Sequence, residues 1–281
     1  MTIQAAYKQL LLQLYELYDD REAANIADMV IEHVTAQRRI DRVMYKELPV
    51  TASQQKLLDD YAEQLLKHTP IQYVLHKAWF AGMPLYVDNN VLIPRPETEE
   101  LVHWIANLDK PLKILDIGTG SGCIPIALKA KHPEWQVHAL DVSAGALEVA
   151  KRNAIGQRTE VEFHLADMLD REAWKLLPMF DIIVSNPPYI RKSEAASMNA
   201  NVLAFEPHTA LFVPDDDALL FYKTIADFAI EHLHPDGLLF FEINEALGTG
   251  VCNLLSAKRF KNIELRKDLQ GKDRMVKATK N

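Results

Sequence analysis

The chain has 281 residues, of which 48% are hydrophobic and 25% charged, and its formal net charge at pH 7 is −8. This composition is typical of a soluble globular protein with one large or two smaller domains. The acidic balance argues against a protein that holds duplex DNA by its phosphates, although it does not exclude a local basic patch.

Two further features of the sequence bear on where the protein works. Its two cysteines, Cys123 and Cys252, show no metal-ligand or disulfide spacing, so we expect two reduced thiols and no metal. The N-terminus lacks a charged segment followed by an apolar one, and no apolar run is long enough to span a bilayer. We therefore expect a cytoplasmic protein without membrane attachment, and we expect it to be a monomer.

The first part of the chain has the pattern of a small helical bundle. Apolar residues recur at spacings of three and four along two predicted helices, 3–18 and 23–34. A short turn over 43–48 follows, and residues 51–54 resemble a capping box that opens a last helix. Because each apolar stripe must be covered, we predict an N-terminal helical domain over residues 1–72.

The pattern changes over residues 73–93. Short apolar runs at 79–80, 85–87 and 91–93 are separated by residues typical of turns. This alternation predicts a β-hairpin, which we interpret as a connector between two domains.

From about residue 97 onward, strands alternate with helices. The predicted strands are Lys113–Ile117, Gln136–Leu140, Val161–Leu165, Phe180–Val184 and Gly237–Glu242, with two late strands near Ile263–Arg266 and Arg274–Ala278. Helices are predicted over 97–106, 121–131, 144–154 and 218–233, with a further one before the late strands. Such alternation predicts an α/β domain over 94–281 with a mostly parallel sheet covered on both faces.

A glycine-rich loop follows the first strand of this domain. Asp116 stands near the strand end, before the loop residues Gly118, Thr119, Gly120, Ser121 and Gly122. Glycines allow a tight turn and a close approach of the main chain to a ligand. The carboxylate disfavours a pyrophosphate and favours a ligand with a positive charge, such as the amino group or sulfonium of S-adenosylmethionine. The alternative is a glycine-rich turn without a ligand.

Acidic residues also follow the second and third strands. Asp141 stands where a Rossmann-like unit places an acceptor for both ribose hydroxyls. It could instead cap the next helix, but Ser143 is the better cap and would leave Asp141 free. Asp167 and Met168 lie in the loop that borders the nucleotide base. There Asp167 would accept from an adenine amino group and Met168 would pack on the ring, unless Asp167 is simply a solvated loop residue.

The fourth strand ends in the tetrad Asn186-Pro187-Pro188-Tyr189. An asparagine at this position can direct its side-chain carbonyl into a cleft, and the prolines stiffen the turn and remove main-chain donors. The result is a rigid, acceptor-rich pocket for a planar –NH2 group, with an aromatic wall. A plain turn is the alternative, but the position beside the first strand, at the edge where open α/β sheets bind ligands, favours a site.

Together these motifs resemble the class I S-adenosylmethionine-dependent methyltransferases that act on amide or amine nitrogen. Further segments resemble the protein glutamine methyltransferases that modify peptide chain release factors, of the HemK/PrmC type; these are 70–75, Phe80 and Gly82, 92–99, 205–207 with 210–211, and 267–274. The resemblance covers nearly the whole chain and is loosest in the N-terminal domain. It implies a Rossmann-like domain with a seven-stranded sheet.

The resemblance also implies an activity and its parts. The cofactor would be S-adenosylmethionine, and the substrate would be the glutamine of the Gly-Gly-Gln motif of release factors, methylated at N5 to support translation termination. No nucleic acid would be needed directly. Cofactor contacts would come from Asp116, the loop 118–122, Asp141, Asp167, Met168 and Asn186. The N-terminal domain would recognise the protein substrate.

On the substrate side, the resemblance implies that Asn186 Oδ1 and the Pro187 carbonyl accept the two amide N–H bonds. Pro188 and Tyr189 would also contact the substrate, and Tyr189 would pack on the glutamine side chain. Three residues would help to close the pocket: Arg95, Glu97 and Thr98. A salt-bridged helix start, with Thr98 near the N-terminus, is an equal alternative for those three.

Other functions remain as alternatives at this point. A sister branch methylates a glutamine of a ribosomal large-subunit protein, but it usually follows Pro-Arg with Ser-Pro, where this chain has Arg95-Pro96-Glu97-Thr98-Glu99. An adenine amino-methyltransferase uses a similar tetrad, yet it would need a target-recognition region and a basic surface. A non-catalytic binding protein would be expected to lose the motif residues. One departure from the family is Met168, where relatives often place an aromatic residue.

Overall fold

The computed structural model describes residues 1–108, 112–198 and 200–281. The chain divides into two compact units. The first consists of Met1–Lys77 with Ala200–Phe205, and the second of Ala78–Asn199 with Glu206–Asn281.

The first unit is helical. Its N-terminal helices are α1 (Ile3–Leu14), α2 (Asp20–Thr35), α3 (Arg39–Tyr45), α4 (Ala52–Leu66) and α5 (Ile71–Val74). Their apolar stripes meet in one core that includes Leu14, Val30 and Leu65. The predicted capping box is present, since the Thr51 side chain accepts from Gln54 N and the Gln54 side chain accepts from Thr51 N. Helix α3 begins before the predicted turn at 43–48 and overlaps its first residues.

The second unit contains eleven strands among the described residues, and seven of them form one sheet. The strands are β1 (Ala78–Phe80), β2 (Met83–Leu85), β3 (Lys113–Ile117), β4 (Gln136–Asp141), β5 (Glu162–Leu165), β6 (Phe180–Ser185), β7 (Ile190–Arg191), β8 (Phe212–Val213), β9 (Leu233–Glu242), β10 (Lys261–Lys267) and β11 (Asp273–Thr279). The sheet order is β10-β11-β9-β6-β3-β4-β5, and β11 pairs antiparallel with both of its neighbours. The mostly parallel seven-stranded sheet is therefore confirmed.

Helices complete this unit. They are α6 (Pro96–Ala106), α7 (Cys123–Lys131), α8 (Ala144–Gln157), α9 (Arg171–Trp174), α11 (His208–Leu211), α12 (Leu220–His232) and α13 (Gly248–Ala257), while α10 (Ala200–Phe205) belongs to the first unit. Two 3-10 segments are Lys192–Ser197 and Glu245–Leu247. Leu115 and Ile114 of β3 lie in different core clusters, because successive side chains of a strand point to opposite faces. Both faces of the sheet are therefore buried.

The predicted hairpin needs correction. Only β1 and β2 pair, antiparallel, with Ala78 opposite Leu85. The run at 91–93 is not a strand, because Val91 N donates to Asp88 O in a turn and the chain is irregular from there to the start of α6. Its alternating burial comes from packing against the rest of the unit. Sequence patterning also missed the short pair of β7 and β8, whose two-residue strands are too brief to show a period.

Among the helices that the structure describes, none combines the length and the apolar character needed to cross a bilayer.

Candidate active site

A cleft of about 800 Å³ opens at the carboxyl ends of β3, β4 and β6. Eight of the residues predicted from the motifs line this cleft, and each of the four motifs contributes at least one of them. They are Gly118, Gly120, Asp141, Asp167, Met168, Asn186, Pro187 and Pro188. The topology therefore brings together at one edge motifs that are far apart in the chain.

The other predicted residues do not line the cleft. Asp116, Thr119 and Ser121 are buried behind it, at 0%, 4% and 2% exposure. Gly122 caps the start of α7. The remaining four, Arg95, Glu97, Thr98 and Tyr189, also lie outside the lining.

The glycine loop is shaped by its main chain. Gly118, Gly120 and Gly122 have φ angles of 75°, 54° and 78°, in the left-handed region where side chains are rarely tolerated. A Cβ on Gly122 would also lie 3.0 Å from Ile126 Cδ1 and 3.1 Å from Ala150 Cβ. At Gly118 and Gly120 the same position is open, so the loop leaves room for a ligand.

Asp141 links this loop to the start of α8. Its Oδ2 accepts from Gly120 N at 2.8 Å and its Oδ1 accepts from Ser143 N at 2.9 Å. Burial raises the pKa of Asp141, and the main-chain N–H groups of these two residues and of Val142 oppose the rise. Ser143 is the helix cap, as predicted, but Asp141 is not free. Each carboxylate oxygen keeps a lone pair that a ribose hydroxyl can use.

Asp116 provides the test of whether the site fits a positively charged cofactor. Both of its carboxylate oxygens are buried and have no hydrogen-bond partner among the described residues. Burial raises the pKa of Asp116 to about 7; the nearby Thr119 hydroxyl opposes the rise and the charge of Asp141 contributes to it. A buried, unpaired carboxylate is costly unless an opposite charge or donors accompany it. The Asp116 carboxylate beside the open glycine loop therefore fits S-adenosylmethionine, which carries both an ammonium and a sulfonium group.

The loop after β5 forms another wall of the cleft. Asp167 Oδ1 accepts from Leu169 N at 2.8 Å, which holds the loop and leaves the second oxygen available. Met168 is 5% exposed, and its main-chain carbonyl accepts from Trp174 Nε1 at 2.9 Å. The thioether is therefore held in place by the core beneath it.

Side-chain hydrogen bonds hold the tetrad at the end of β6. Ser185 Oγ donates to Ile117 O at 2.7 Å, which ties β6 to the strand that carries the glycine loop. Asn186 Nδ2 donates to Thr98 Oγ1 at 3.2 Å, and Thr98 Oγ1 donates to Glu242 Oε2 at 2.6 Å. Thr98 and Glu242 are buried, so this chain of bonds is shielded from solvent.

Arg95 is salt-bridged at the start of α6, as the alternative prediction has it, whereas Glu97 has no ion pair among the described residues. Arg95 Nη2 lies 2.7 Å from both carboxylate oxygens of Glu206, which is buried. Glu97 accepts from Gln270 Nε2 at 3.5 Å. Thr98 N donates to Arg95 O as α6 begins with a proline at its first turn.

Tyr189 packs against the hydrophobic core that contains Tyr222. Burial raises its pKa to about 12, and the nearby Glu242 carboxylate contributes to the rise. The ring thus supports the turn from behind, and the predicted contact with a substrate side chain stays a prediction.

Sequence reasoning missed several residues of the site. Asn90, Val91 and Leu92 line the cleft. Asn153 holds the preceding chain against the glycine loop, since its Nδ2 lies 2.9 Å from both Tyr86 O and Ser121 O. No local motif marks such a contact.

Glu242 is another missed residue. It is an acidic residue at the end of the apolar strand β9, next to β6 in the sheet. The criterion that singled out Asp116 and Asp141, a carboxylate at the end of a buried parallel strand, would have found it.

One group of possible metal ligands occurs among the described residues, away from the cleft lining. His138, Glu162 and His164 lie on β4 and β5 with their ligand atoms within 4.8 Å of one another. His138 Nδ1 and His164 Nε2 are 3.0 Å apart, at hydrogen-bond distance. Burial lowers the pKa of His138 to about 4, and the positive charge of Lys113 lowers it too. Burial also lowers the pKa of His164, so we interpret the cluster as a neutral histidine pair.

Comparison with known proteins places the chain in a family. Residues 98–210 match the family model Methyltransferase small domain, and residues 5–75 match PrmC N-terminal domain. The release factor glutamine methyltransferase of Flavobacterium psychrophilum is 44% identical over 284 residues, covering 99% of both chains. The chain belongs to the release factor glutamine methyltransferase family. The enzyme of that name from Bacteroides thetaiotaomicron is 38% identical over 268 residues, covering 95% of this chain and 96% of its own.

A solved structure shares the fold. A methyltransferase from Pyrococcus furiosus is 15% identical, with a TM-score of 0.53 over 82% of this chain and 100% of its own. The predicted class I methyltransferase fold and the S-adenosylmethionine cofactor are thus confirmed, and so is the resemblance to the release factor glutamine methyltransferase family. The roles of individual site residues stay predictions.

Proposed function

We propose that this protein transfers a methyl group from S-adenosylmethionine to the side-chain amide nitrogen (N5) of the Gly-Gly-Gln glutamine of a peptide chain release factor. The observation that carries the proposal is the hydrogen bonding of Asn186. Thr98 holds its amide nitrogen, while the residue lines the same cleft as the glycine loop. The names of the relatives support the same activity.

The cofactor side of the cleft holds the methyl donor. When bound, S-adenosylmethionine supplies an electrophilic methyl group on a positively charged sulfur. Asp116 stabilises that positive charge, and Asp141 accepts from the ribose hydroxyls. Met168 offers an apolar surface to the purine, and Asp167 an acceptor for its amino group.

The acceptor side prepares a poor nucleophile. An amide nitrogen is weakly nucleophilic because its lone pair is delocalised into the carbonyl. Asn186 Oδ1 and the Pro187 carbonyl accept its two N–H bonds and hold the nitrogen toward the methyl group. Prolines have no main-chain N–H, so the turn offers no competing donor here. Such positioning supplies up to about 7–11 kcal/mol in well-oriented systems, and no base is needed because the amide sheds its proton after transfer.

The N-terminal unit supplies the surface that recognises the release factor. Helix α3 exposes Ile40, Val43 and Met44, which are 70%, 74% and 76% exposed. Apolar side chains grouped in this way on a surface mark protein-binding sites. We call these three residues the α3 surface. The protein acts as a monomer in the cytoplasm, where release factors are found, and it needs no nucleic acid.

Two other acceptors fit the site less well. Methylation of adenine in DNA or RNA would be favoured by a basic surface, whereas the net charge is −8. A glutamine of a ribosomal protein has the same amide chemistry, but the relatives with high identity are named for release factors. A binding protein without catalysis would not need Asp116, the glycines and Asn186, all of which the chain retains.

The test offers the three acceptors in parallel. Purified protein is incubated with labelled S-adenosylmethionine and either release factor, ribosomal large-subunit protein or DNA. The proposal predicts that the release factor is labelled at a rate that exceeds labelling of the ribosomal protein and of DNA by orders of magnitude. Label in the ribosomal protein or in DNA, with none in the release factor, would refute it.

A further inference from the structure

We infer that Thr98 and Glu242 fix the orientation of the Asn186 side-chain amide, so that its Oδ1 faces the substrate. The inference rests on the amide methylation proposed above. The three residues come from different parts of the chain. Thr98 and Asn186 are 88 positions apart, and Thr98 and Glu242 are 144 apart. They meet where α6, β6 and β9 converge.

An asparagine needs such a selection because its two ends are nearly the same size. The oxygen only accepts hydrogen bonds and the nitrogen only donates them, so packing alone does not distinguish them. If the amide of Asn186 were turned over, an NH2 group would face the substrate amide in place of an acceptor. Neighbouring hydrogen-bond groups must therefore select one orientation.

Hydrogen-bond counting shows how the selection works. Thr98 has one hydroxyl proton, and that proton goes to Glu242 Oε2 at 2.6 Å, because an ionised carboxylate can only accept. The hydroxyl oxygen can then only accept from Asn186, so the Asn186 atom at 3.2 Å must be Nδ2. Oδ1 is left at the opposite end, with no hydrogen bond from any described residue. Glu242 thus acts on Asn186 through Thr98.

Burial strengthens the selection. Thr98 is 2% exposed and Glu242 is 1% exposed, so solvent does not screen the pair. A turned amide would place Oδ1 against the lone pairs of Thr98 and close to a carboxylate, with no donor between them. Buried acceptors that face each other without a proton are strongly disfavoured. The Asn186 N–H groups also help to keep the Glu242 pKa lower than burial alone would set it.

The orientation depends on the ionisation of Glu242, because a protonated carboxyl would donate to Thr98 and release the hydroxyl proton toward Asn186. Burial raises the pKa of Glu242 to about 7, and the Thr98 hydrogen bond and the charge of Arg274 oppose this. Several titratable groups face the carboxyl from the surrounding elements: Glu97 on α6, Cys123 on α7, Tyr189 after β6, Tyr222 on α12 and Arg274 on β11. Ionised Glu242 sets the active orientation, so activity falls as pH drops below about 7.

The first experiment compares substitutions at Thr98 with labelled S-adenosylmethionine and release factor. Thr98→Val keeps the shape and removes the hydroxyl, and we expect kcat to fall about 100-fold while calorimetric affinity for S-adenosylmethionine stays unchanged. Thr98→Ser keeps the hydroxyl and should restore most of the activity. Thr224→Val is the matched control, because among the described residues the Thr224 hydroxyl bonds only to Leu220 O of its own helix. Full kcat in folded Thr98→Val would overturn the inference.

The second experiment is a pH profile of kcat. Wild type should lose activity as pH falls through about 7, the pKa of Glu242. With S-adenosylmethionine saturating, so that the bound cofactor keeps Asp116 ionised (its pKa is also about 7), Glu242→Gln should have a lower rate and lack this limb, because a glutamine does not titrate. A limb that persists unchanged in Glu242→Gln would contradict the role of Glu242.

A third measurement needs no protein substrate. The side-chain amide resonances of Asn186, assigned by comparison with Asn186→Asp, are recorded by NMR with S-adenosylmethionine present. We expect them to shift in Thr98→Val and to titrate near pH 7 in wild type. Resonances that do neither would overturn the inference. If wild type methylates no release factor but these shifts are seen, the proposed function fails and the orientation of Asn186 stands.

Discussion

The two sides of the cleft are held by different kinds of contact. On the cofactor side, Gly118 N and Thr119 N donate to Leu140 O, and Gly120 N donates to the Asp141 carboxylate. On the acceptor side, Asn186 is held by the side chain of Thr98, which in turn bonds to Glu242. Each of these bonds on the first side involves a main-chain group of the loop, whereas on the second side, side chains distant in sequence bond to one another.

This difference predicts that the two sides can be damaged separately. Substitutions on the cofactor side should weaken S-adenosylmethionine binding, and substitutions on the acceptor side should slow transfer while the cofactor still binds. Each of the following changes tests that separation or the contrast between the catalytic and N-terminal units.

The largest effect is expected at Asn186. Asn186→Ala removes the acceptor for the substrate amide, and the transfer rate should fall about 1,000-fold, comparable to the loss of a strong oxyanion-hole contact. Calorimetry should find S-adenosylmethionine binding close to that of wild type. Full activity on a release factor in a single-turnover assay would show that the tetrad asparagine has no role in transfer.

A smaller effect is expected at Asp141. Asp141→Ala removes the acceptor for the ribose and the bonds to Gly120 N and Ser143 N, so S-adenosylmethionine should bind about 10–100-fold more weakly. Asp141→Asn keeps one acceptor and should be intermediate. The ribose assignment is wrong if calorimetry shows the same affinity in Asp141→Ala as in wild type.

The α3 surface tests the N-terminal unit. Changing Val43 and Met44 together to serine should raise KM for intact release factor about 10-fold, through loss of buried apolar area at the interface. The kinetics on a short glutamine peptide should not change. Ile155→Ser is a control, because Ile155 is 79% exposed but lies on α8 of the catalytic unit. Equal effects on peptide and intact factor would mean that the α3 surface does not bind the factor.

The smallest effect concerns stability at Asp116. The folded pKa of about 7 lies above the ordinary value of 3.8, so between these values the folded chain binds more protons than the unfolded chain. The unfolding free energy therefore falls as pH rises across this window. Asp116→Asn removes the buried charge and should raise the unfolding free energy at pH 8 by about 1 kcal/mol, while S-adenosylmethionine binds more weakly. Denaturant melts at pH 5 and pH 8 test this; a destabilised variant at pH 8 would show that the carboxylate is satisfied in the free protein.

The contrast between the two sides also explains what the sequence could predict. The cofactor side is encoded in contiguous motifs, because a loop of glycines and a carboxylate at a strand end have direct local consequences. The sheet and its order of elements followed from hydrophobic periodicity in the same way. Local patterns are thus enough to place the glycine loop and Asp141 at one edge of the sheet.

The acceptor side was predicted only in part. The tetrad identified Asn186, but no local pattern shows that Thr98 accepts from it or that Glu242 lies behind both. Thr98 was expected in the pocket wall, whereas it lies buried next to it. Such contacts depend on how α6 and β9 pack against β6, which periodicity does not specify. The same holds for residues 91–93, whose alternation came from tertiary packing and not from a strand.

The position of the transferred methyl group tests the account most directly. Release factor is incubated with the protein and S-adenosylmethionine, digested, and analysed by fragmentation mass spectrometry, with Asn186→Ala run in parallel. The account predicts one methyl group on the side-chain nitrogen of the glutamine in the Gly-Gly-Gln motif, and none with the variant. A methyl group on a lysine, an arginine or the main chain, or an equal yield from Asn186→Ala, would contradict it.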